Sequence, residues 1–147
     1  MFTSATAAWP ATVPGDAPTQ VALLASPYPD GLLLAQSLRV LSGGQVDWQA
    51  CPDAFWRSLQ GLKDTQAMDL LVCDHDSCGA DVAGYCQALA SLGLASRLVL
   101  LADVPTHQAA LSGRGAYPSG MRWLLRPWRL PDLGPLLGRR PLVPTPA

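Results

Sequence analysis

The sequence predicts a three-layer α/β domain in which a five-stranded parallel sheet is doubly wound, with helices on both faces. Two observations carry this. The strongest short runs, Val21–Ala25, Met68–Cys73 and Arg97–Ala102, are almost continuously apolar and do not alternate, as expected of strands buried on both faces. Between them lie segments with leucines and aromatics at helical spacing, so a strand is followed by a helix five times over.

Val21 to Ala25 is read as the first strand, stopped by Ser26-Pro27. Asp30 to Leu41 reads as a helix whose Leu34, Leu38 and Leu41 share a face, closed by Gly43-Gly44. Gln45 to Ala50 is a weaker strand. Pro52-Asp53 opens the second helix, with Asp53 as the expected cap and Phe55, Leu59 and Leu62 facing the core. Met68 to Cys73, interrupted only by Asp69, is the third strand. Ala80 to Leu92 is the third helix, with Tyr85, Leu89 and Leu92 inward and Gly93 as its stop. Arg97 to Ala102 is the fourth strand, Thr106 to Leu111 a short helix, Met121 to Leu125 the fifth strand. Leu130 to Leu137 is expected as a short final helix weakened by Gly134 and Pro135.

A chain of 147 residues is one domain long and can bury a real core. Residues 19–140 are expected to form it, preceded by a flexible lead-in over 1–18 that carries Pro10, Pro14 and Pro18, and followed by a flexible tail or linker over 141–147. Hydrophobic residues make up 49% and charged residues 14%, which fits a globular chain and not a disordered one. The net charge is −1. Arg122, Arg126, Arg129, Arg139 and Arg140 are too sparse for a phosphate-backbone footprint, so no nucleic-acid partner is expected. No run is long and apolar enough for a membrane span, and Met1–Thr19 lacks the basic-then-apolar order of a secretory signal. The expected location is cytoplasmic, with Cys51, Cys73, Cys78 and Cys86 as free thiols and Cys73 serving as a small core residue.

In open sheets of this kind ligands gather at the carboxyl ends of the strands. Those ends hold Ala25 and Ser26, Asp74, Ala102 and Asp103, and Arg126 and Pro127. No glycine-rich phosphate loop follows the first strand, which argues against nucleotide or flavin binding, and no nucleophile-elbow sequence is present. His75 and Cys78 beside Asp74 and Asp76 lack the second ligand pair that a zinc site requires.

Asp69-Leu-Leu-Val-Cys-Asp74 resembles the third strand of response-regulator receiver domains, whose last residue is the phosphoaccepting aspartate. Leu124-Leu-Arg-Pro-Trp-Arg-Leu-Pro-Asp-Leu133 resembles the end-of-fifth-strand signature of that family, a Lys-Pro-aromatic before the last helix. The resemblance covers roughly residues 20–138 and implies a flavodoxin-like fold. It also implies that Asp74 takes the phosphoacceptor position, Ala102 that of the hydroxyl residue, Trp123 that of the switch aromatic, and Arg126-Pro127 that of Lys-Pro. The family's Lys-Pro bond is typically cis, so a cis Arg126–Pro127 bond aiming Arg126 toward Asp74 is expected. The acidic pair that holds magnesium in the family is replaced by Ala25 and Ser26.

The resemblance therefore implies a degenerate or pseudo-receiver, non-enzymatic and without cofactor, acting by protein–protein contact in bacterial signalling. A face built from helix four, strand five and helix five, with Arg122, Trp123, Trp128 and Arg129, is its expected contact with a partner or a second copy. An alternative is a phosphoaccepting receiver that uses Asp74 with an atypical Mg²⁺ site, in which Asp30 and Asp76 partly substitute for the acidic pair, and that shows weak autophosphatase chemistry. Another is a flavodoxin-like sensor of a small ligand.

Overall fold

A computed structural model describes residues 19–113 and 116–137. The segments expected to be flexible, 1–18 and 141–147, lie outside the described residues, as does the expected domain end at 140. Five strands, β1 (Val21–Leu24), β2 (Val46–Gln49), β3 (Leu70–Asp74), β4 (Leu98–Ala102) and β5 (Arg122–Leu125), form one sheet in the order β2-β1-β3-β4-β5. Every pairing is parallel. Helices α1 (Leu32–Ser42), α2 (Pro52–Gln60), α3 (Val82–Leu89), α4 (Val104–Ser112) and α5 (Leu130–Leu133) connect or follow the strands. The fold is the flavodoxin-like doubly wound α/β architecture.

The apolar runs do what continuous apolarity requires. β1, β3 and β4 are buried along their whole lengths, and their alternate side chains feed two cores. Val21, Leu23, Leu70, Val72, Val99 and Leu101 point to the layer filled by Leu34, Leu38 and Leu41 of α1 and Leu133 of α5. Ala22, Leu24, Leu71, Cys73, Leu98 and Leu100 point to the layer filled by Phe55 and Leu59 of α2 and Val82, Cys86 and Leu89 of α3. Burying an Ile- or Leu-sized side chain is worth about 1.5–3 kcal/mol, so two such layers are the main source of stability.

Several boundaries differ from the sequence reading, each for a local reason. β3 begins at Leu70, not Met68, because Asp69 closes the strand's entry: its carboxylate accepts the Gln20 amide at 2.8 Å while its own amide donates to the Gln20 carbonyl. Asp74 thereby becomes the last residue of β3. Asp53 does not cap α2. Cys51 takes the cap position and Pro52 the first helical turn, where a missing N–H costs nothing.

α3 starts at Val82 because the Asp81 side chain caps the Gly84 amide at 2.9 Å, and it ends before the irregular turn at Ala90–Leu94, where Gly93 adopts a φ of 83°. Its inner face is Val82, Cys86 and Leu89, while Tyr85 and Leu92 are only partly buried. α4 starts two residues earlier than expected, since Asp103 caps Thr106 and Pro105 fits the first turn. The final helix is one turn long, Leu130–Leu133, followed by a tighter turn at Pro135–Leu137, because Pro135 has no amide to continue the ladder.

The difference that matters most lies after β1. Asp30 does not begin α1. Pro27–Gly31 form an irregular turn in which Tyr28 is extended (φ −120°, ψ 147°), and α1 proper starts at Leu32. Asp30 is therefore held in a loop above the sheet. Gly31 lies under that loop, buried, at a point where a Cβ would stand 1.8 Å from the Ser26 carbonyl oxygen.

Candidate functional site

The carboxyl ends of β1, β3 and β5 converge on one charged network. Asp74 closes β3 with its side chain only 6% exposed. Arg126 follows β5, its amide bonded to the Ala102 carbonyl at 2.9 Å, so the strand pairing itself delivers the side chain to the sheet's upper edge. The Arg126–Pro127 peptide is cis, as is Tyr28–Pro29.

One nitrogen of the Arg126 guanidinium, Nη2, donates to Asp74 Oδ2 at 2.8 Å and to Asp30 Oδ1 at 3.0 Å. Nε donates to the other oxygen of Asp30 at 3.0 Å, and Nη1 to Asp74 Oδ1 at 3.4 Å. The guanidinium fork is thus spent on two carboxylates, the geometry for which arginine is suited and lysine is not. Two further donors complete the set. The indole Nε1 of Trp128 donates to Asp30 Oδ2 at 2.8 Å, and the Asp76 amide donates to Asp74 Oδ1 at 3.3 Å.

The electrostatics follow from these contacts. Hydrogen bonds from Arg126 hold Asp30 below its ordinary carboxylate pKa of 3.8 against the opposing effect of burial, with Trp128 assisting. The same contacts with Asp30, then Asp74, raise Arg126. A folded pKa below the unfolded one means that this contribution to stability is complete above the unfolded value and is lost as pH falls through the folded value. Acid unfolding followed by circular dichroism should therefore show a loss of stability below about pH 4, and Asp30→Asn should flatten that limb. An unchanged acid limb would show that Asp30 is not a stabilising ion in the fold.

The remaining sequence-predicted residues take different places. Ala102 is buried at the end of β4 and contributes its carbonyl alone. Ala25 and Ser26 stand after β1. The Ala25 carbonyl accepts the Trp48 indole at 2.8 Å, and the Ser26 amide donates to Ser77 Oγ at 3.2 Å. Asp76 points outward, its side chain 86% exposed and 3.2 Å from His75 Nδ1. Among the described residues no group of three or more His, Cys, Asp or Glu side chains is placed to hold a metal ion. Cys73, Cys78 and Cys86 are buried and free. Burial pushes the Cys73 thiol up and that of Cys86 up to about 12, so both behave as small apolar residues.

The four side chains expected on the contact face are not equally available. Trp123 is half-buried, with His107 of α4 at 4.8 Å and Tyr117 at 5.2 Å between ring centres. Trp128 is turned inward, packed on the α1–α5 core and fixed by Asp30. Arg122 is half-buried, reaches the Leu136 carbonyl at 3.4 Å and leaves its Nε buried without a partner. Only Arg129 is exposed. The exposed apolar residues of this side are instead Val104 and Leu111 of α4 and Leu130 of α5. α4 buries none of its residues.

Sequence reasoning placed Asp30 near the rim without a partner and gave Trp128 to the surface. The signal that could have joined them is the need of a second carboxylate and an indole N–H for partners once the acidic pair after β1 is absent.

No protein-family model matches the sequence, and no curated protein matches it. Solved structures do match. One assigned as a response regulator from Chloroflexus aurantiacus superposes with a TM-score of 0.64 at 19% identity, covering 84% of this chain and all of the other (100%). A response regulator receiver domain protein from Clostridium thermocellum gives 0.59 at 11% identity, covering 82% and 91%. The receiver domain of the TMAO respiratory system response regulator TorR gives 0.59 at 15%, covering 79% and 90%. Likeness at these identities is likeness of fold, and the fold this chain adopts is that of the response-regulator receiver domain.

Proposed function

We propose that the chain is a pseudo-receiver: a non-enzymatic, cytoplasmic module of bacterial signal transduction that works through protein contacts and carries no phosphoryl group. The observation that supports this best is the saturation of Asp74 by Arg126. Phosphoryl transfer to a carboxylate needs a free oxygen as nucleophile and a divalent cation to offset charge on the transferring group. Here both Asp74 oxygens face one guanidinium, the two positions directly after β1 are Ala25 and Ser26 in place of carboxylates, and Asp76 faces solvent. Asp30, the other candidate metal carboxylate, is occupied by Arg126 and Trp128. The donor set does not fit Mg²⁺, and the cation at the site is the protein's own.

A domain with its acceptor closed off in this way acts through its surface. The face of α4, β5 and α5 supports that reading, because Val104, Leu111 and Leu130 are exposed there and α4 is loosely seated. Incubation with acetyl phosphate and Mg²⁺, read by intact mass, should give no phosphate-sized gain. Asp74→Asn should leave partner binding intact, since Arg126 keeps Asp30. A mass gain in the wild type that is absent from Asp74→Asn would overturn the reading.

A further inference from the structure

β5 is an edge strand, paired only with β4. The Arg126 amide points to β4, where it meets the Ala102 carbonyl, so the backbone groups of Trp123 and Leu125 alternate with it and face away from the sheet. No strand meets them there. This open stretch is bounded below by Met121, whose amide is taken by the Pro118 carbonyl at 3.4 Å, and above by Pro127, which has no N–H to offer. Beside it the one-turn α5 and the turn after it leave a cleft of about 400 Å³ between β5 and Pro131, Pro135 and Leu136.

The charge at this edge is unbalanced. Leu124 packs toward α5 with Leu133 and Leu137, and Arg122, two positions before it, lies on the same face of the strand. Arg122 Nη2 donates to the Leu136 carbonyl at 3.4 Å and its Nε is buried without a partner. No carboxylate among the described residues pairs with it. The acid in the cleft wall, Asp132, is already engaged by the Arg129 amide at 2.8 Å.

We propose that this edge receives an extended, acidic segment of a partner protein, which joins the sheet as a further strand beside β5. Main-chain bonds would give such an addition its affinity and alternate side chains its specificity. In an antiparallel addition the residues opposite Trp123 and Leu125 exchange both backbone bonds with them. The residue opposite Leu124 then stands over the cleft, and the one opposite Arg122, two positions further on, falls on the same face. The segment that fits carries an apolar side chain at the first of these places and Asp or Glu at the second, where it supplies the anion that Arg122 lacks. A second copy matches less well. β5 reads Arg-Trp-Leu-Leu and has no carboxylate, so two β5 strands paired about Leu124 leave Arg122 unmatched and set it level with Arg126 of the other copy. The opposite edge of the sheet, β2, carries Asp47 and would repel the same segment.

The inference rests on reading the domain as a contact module and states the chemistry of what it contacts. A capped peptide in which threonine and valine alternate, with one glutamate in place of a valine, tests it by heteronuclear NMR on the full-length protein. The peptide should shift the amides of Trp123 and Leu125 and slow their exchange with solvent, while the Trp48 amide on the β2 edge stays unchanged. Glutamine in place of the glutamate should weaken binding about fivefold, the scale of an exposed ion pair, and Arg122→Gln should bind the two peptides alike. A peptide N-methylated at its threonines should not bind. Unmoved Trp123 and Leu125 amides, or equal binding of the glutamate and glutamine peptides to the wild type, would overturn the proposal. Slow exchange of both amides before peptide is added would overturn it too: if it grows with protein concentration the edge belongs to a second copy, and if not, to the chain itself. None of these results bears on the acetyl phosphate experiment, so the two readings fail separately.

Discussion

Arg126→Ala is expected to lower the free energy of unfolding by about 3–5 kcal/mol, the cost typical of removing one partner from a buried ion pair. Asp74 would be left with its side chain 6% exposed and no cation, and Asp30, at 21% exposed, would lose two of its three side-chain donors. For a domain of this size the thermal midpoint should fall by roughly 10 °C or more. Arg126→Lys separates charge from geometry. A single ammonium restores the sign but cannot bridge both carboxylates through a planar fork, so it should recover part of the loss and leave the midpoint between the two. Calorimetry on the three proteins decides the matter. A loss below about 1 kcal/mol in Arg126→Ala would place the network among surface ion pairs of negligible worth, and Arg126 would then not hold Asp74 shut.

The fold was legible where burial dictates the sequence. A strand covered on both faces must be apolar at every position, and β1, β3 and β4 announce themselves in that way; their order with the helices between them determines the parallel sheet. Helix ends were less legible because they turn on single side-chain contacts. The Asp81 and Asp103 caps, and Pro135 splitting the last helix, are set by geometry that periodicity does not register. The candidate site was legible at Asp74 and Arg126, which sit at strand ends where topology collects chemistry. It was hidden at Asp30 and Trp128. Those two lie 98 residues apart, each in a loop, and nothing in the local pattern of either names the other. Trp128 illustrates the difficulty: a tryptophan after the last strand reads as a surface anchor until the carboxylate that holds its indole is in view.

Gly31→Ala is expected to disrupt the same site from below. The added Cβ would lie 1.8 Å from the Ser26 carbonyl oxygen and 2.8 Å from its carbon, distances that no side-chain rotation relieves because both atoms belong to the backbone. The loop Ser26–Gly31 must open for the methyl to fit, and Asp30 is carried with it. The consequence is twofold. Overpacking alone costs about 1–3 kcal/mol, and displacement of Asp30 breaks its bonds to Arg126 and Trp128 as well, so the total should approach that of Arg126→Ala. The φ of Gly31 is −62°, so the effect is steric and not conformational. Gly43→Ala gives the contrasting case, since it has a φ of 67° and nothing within 4 Å of its Cβ; it should cost about 1 kcal/mol and leave the site undisturbed. Combining Gly31→Ala with Asp30→Asn tests the coupling. If the methyl acts partly by moving Asp30, the double variant should be less destabilised than the sum of the singles. Strict additivity would confine the glycine's role to packing of the loop and leave Asp30 in place.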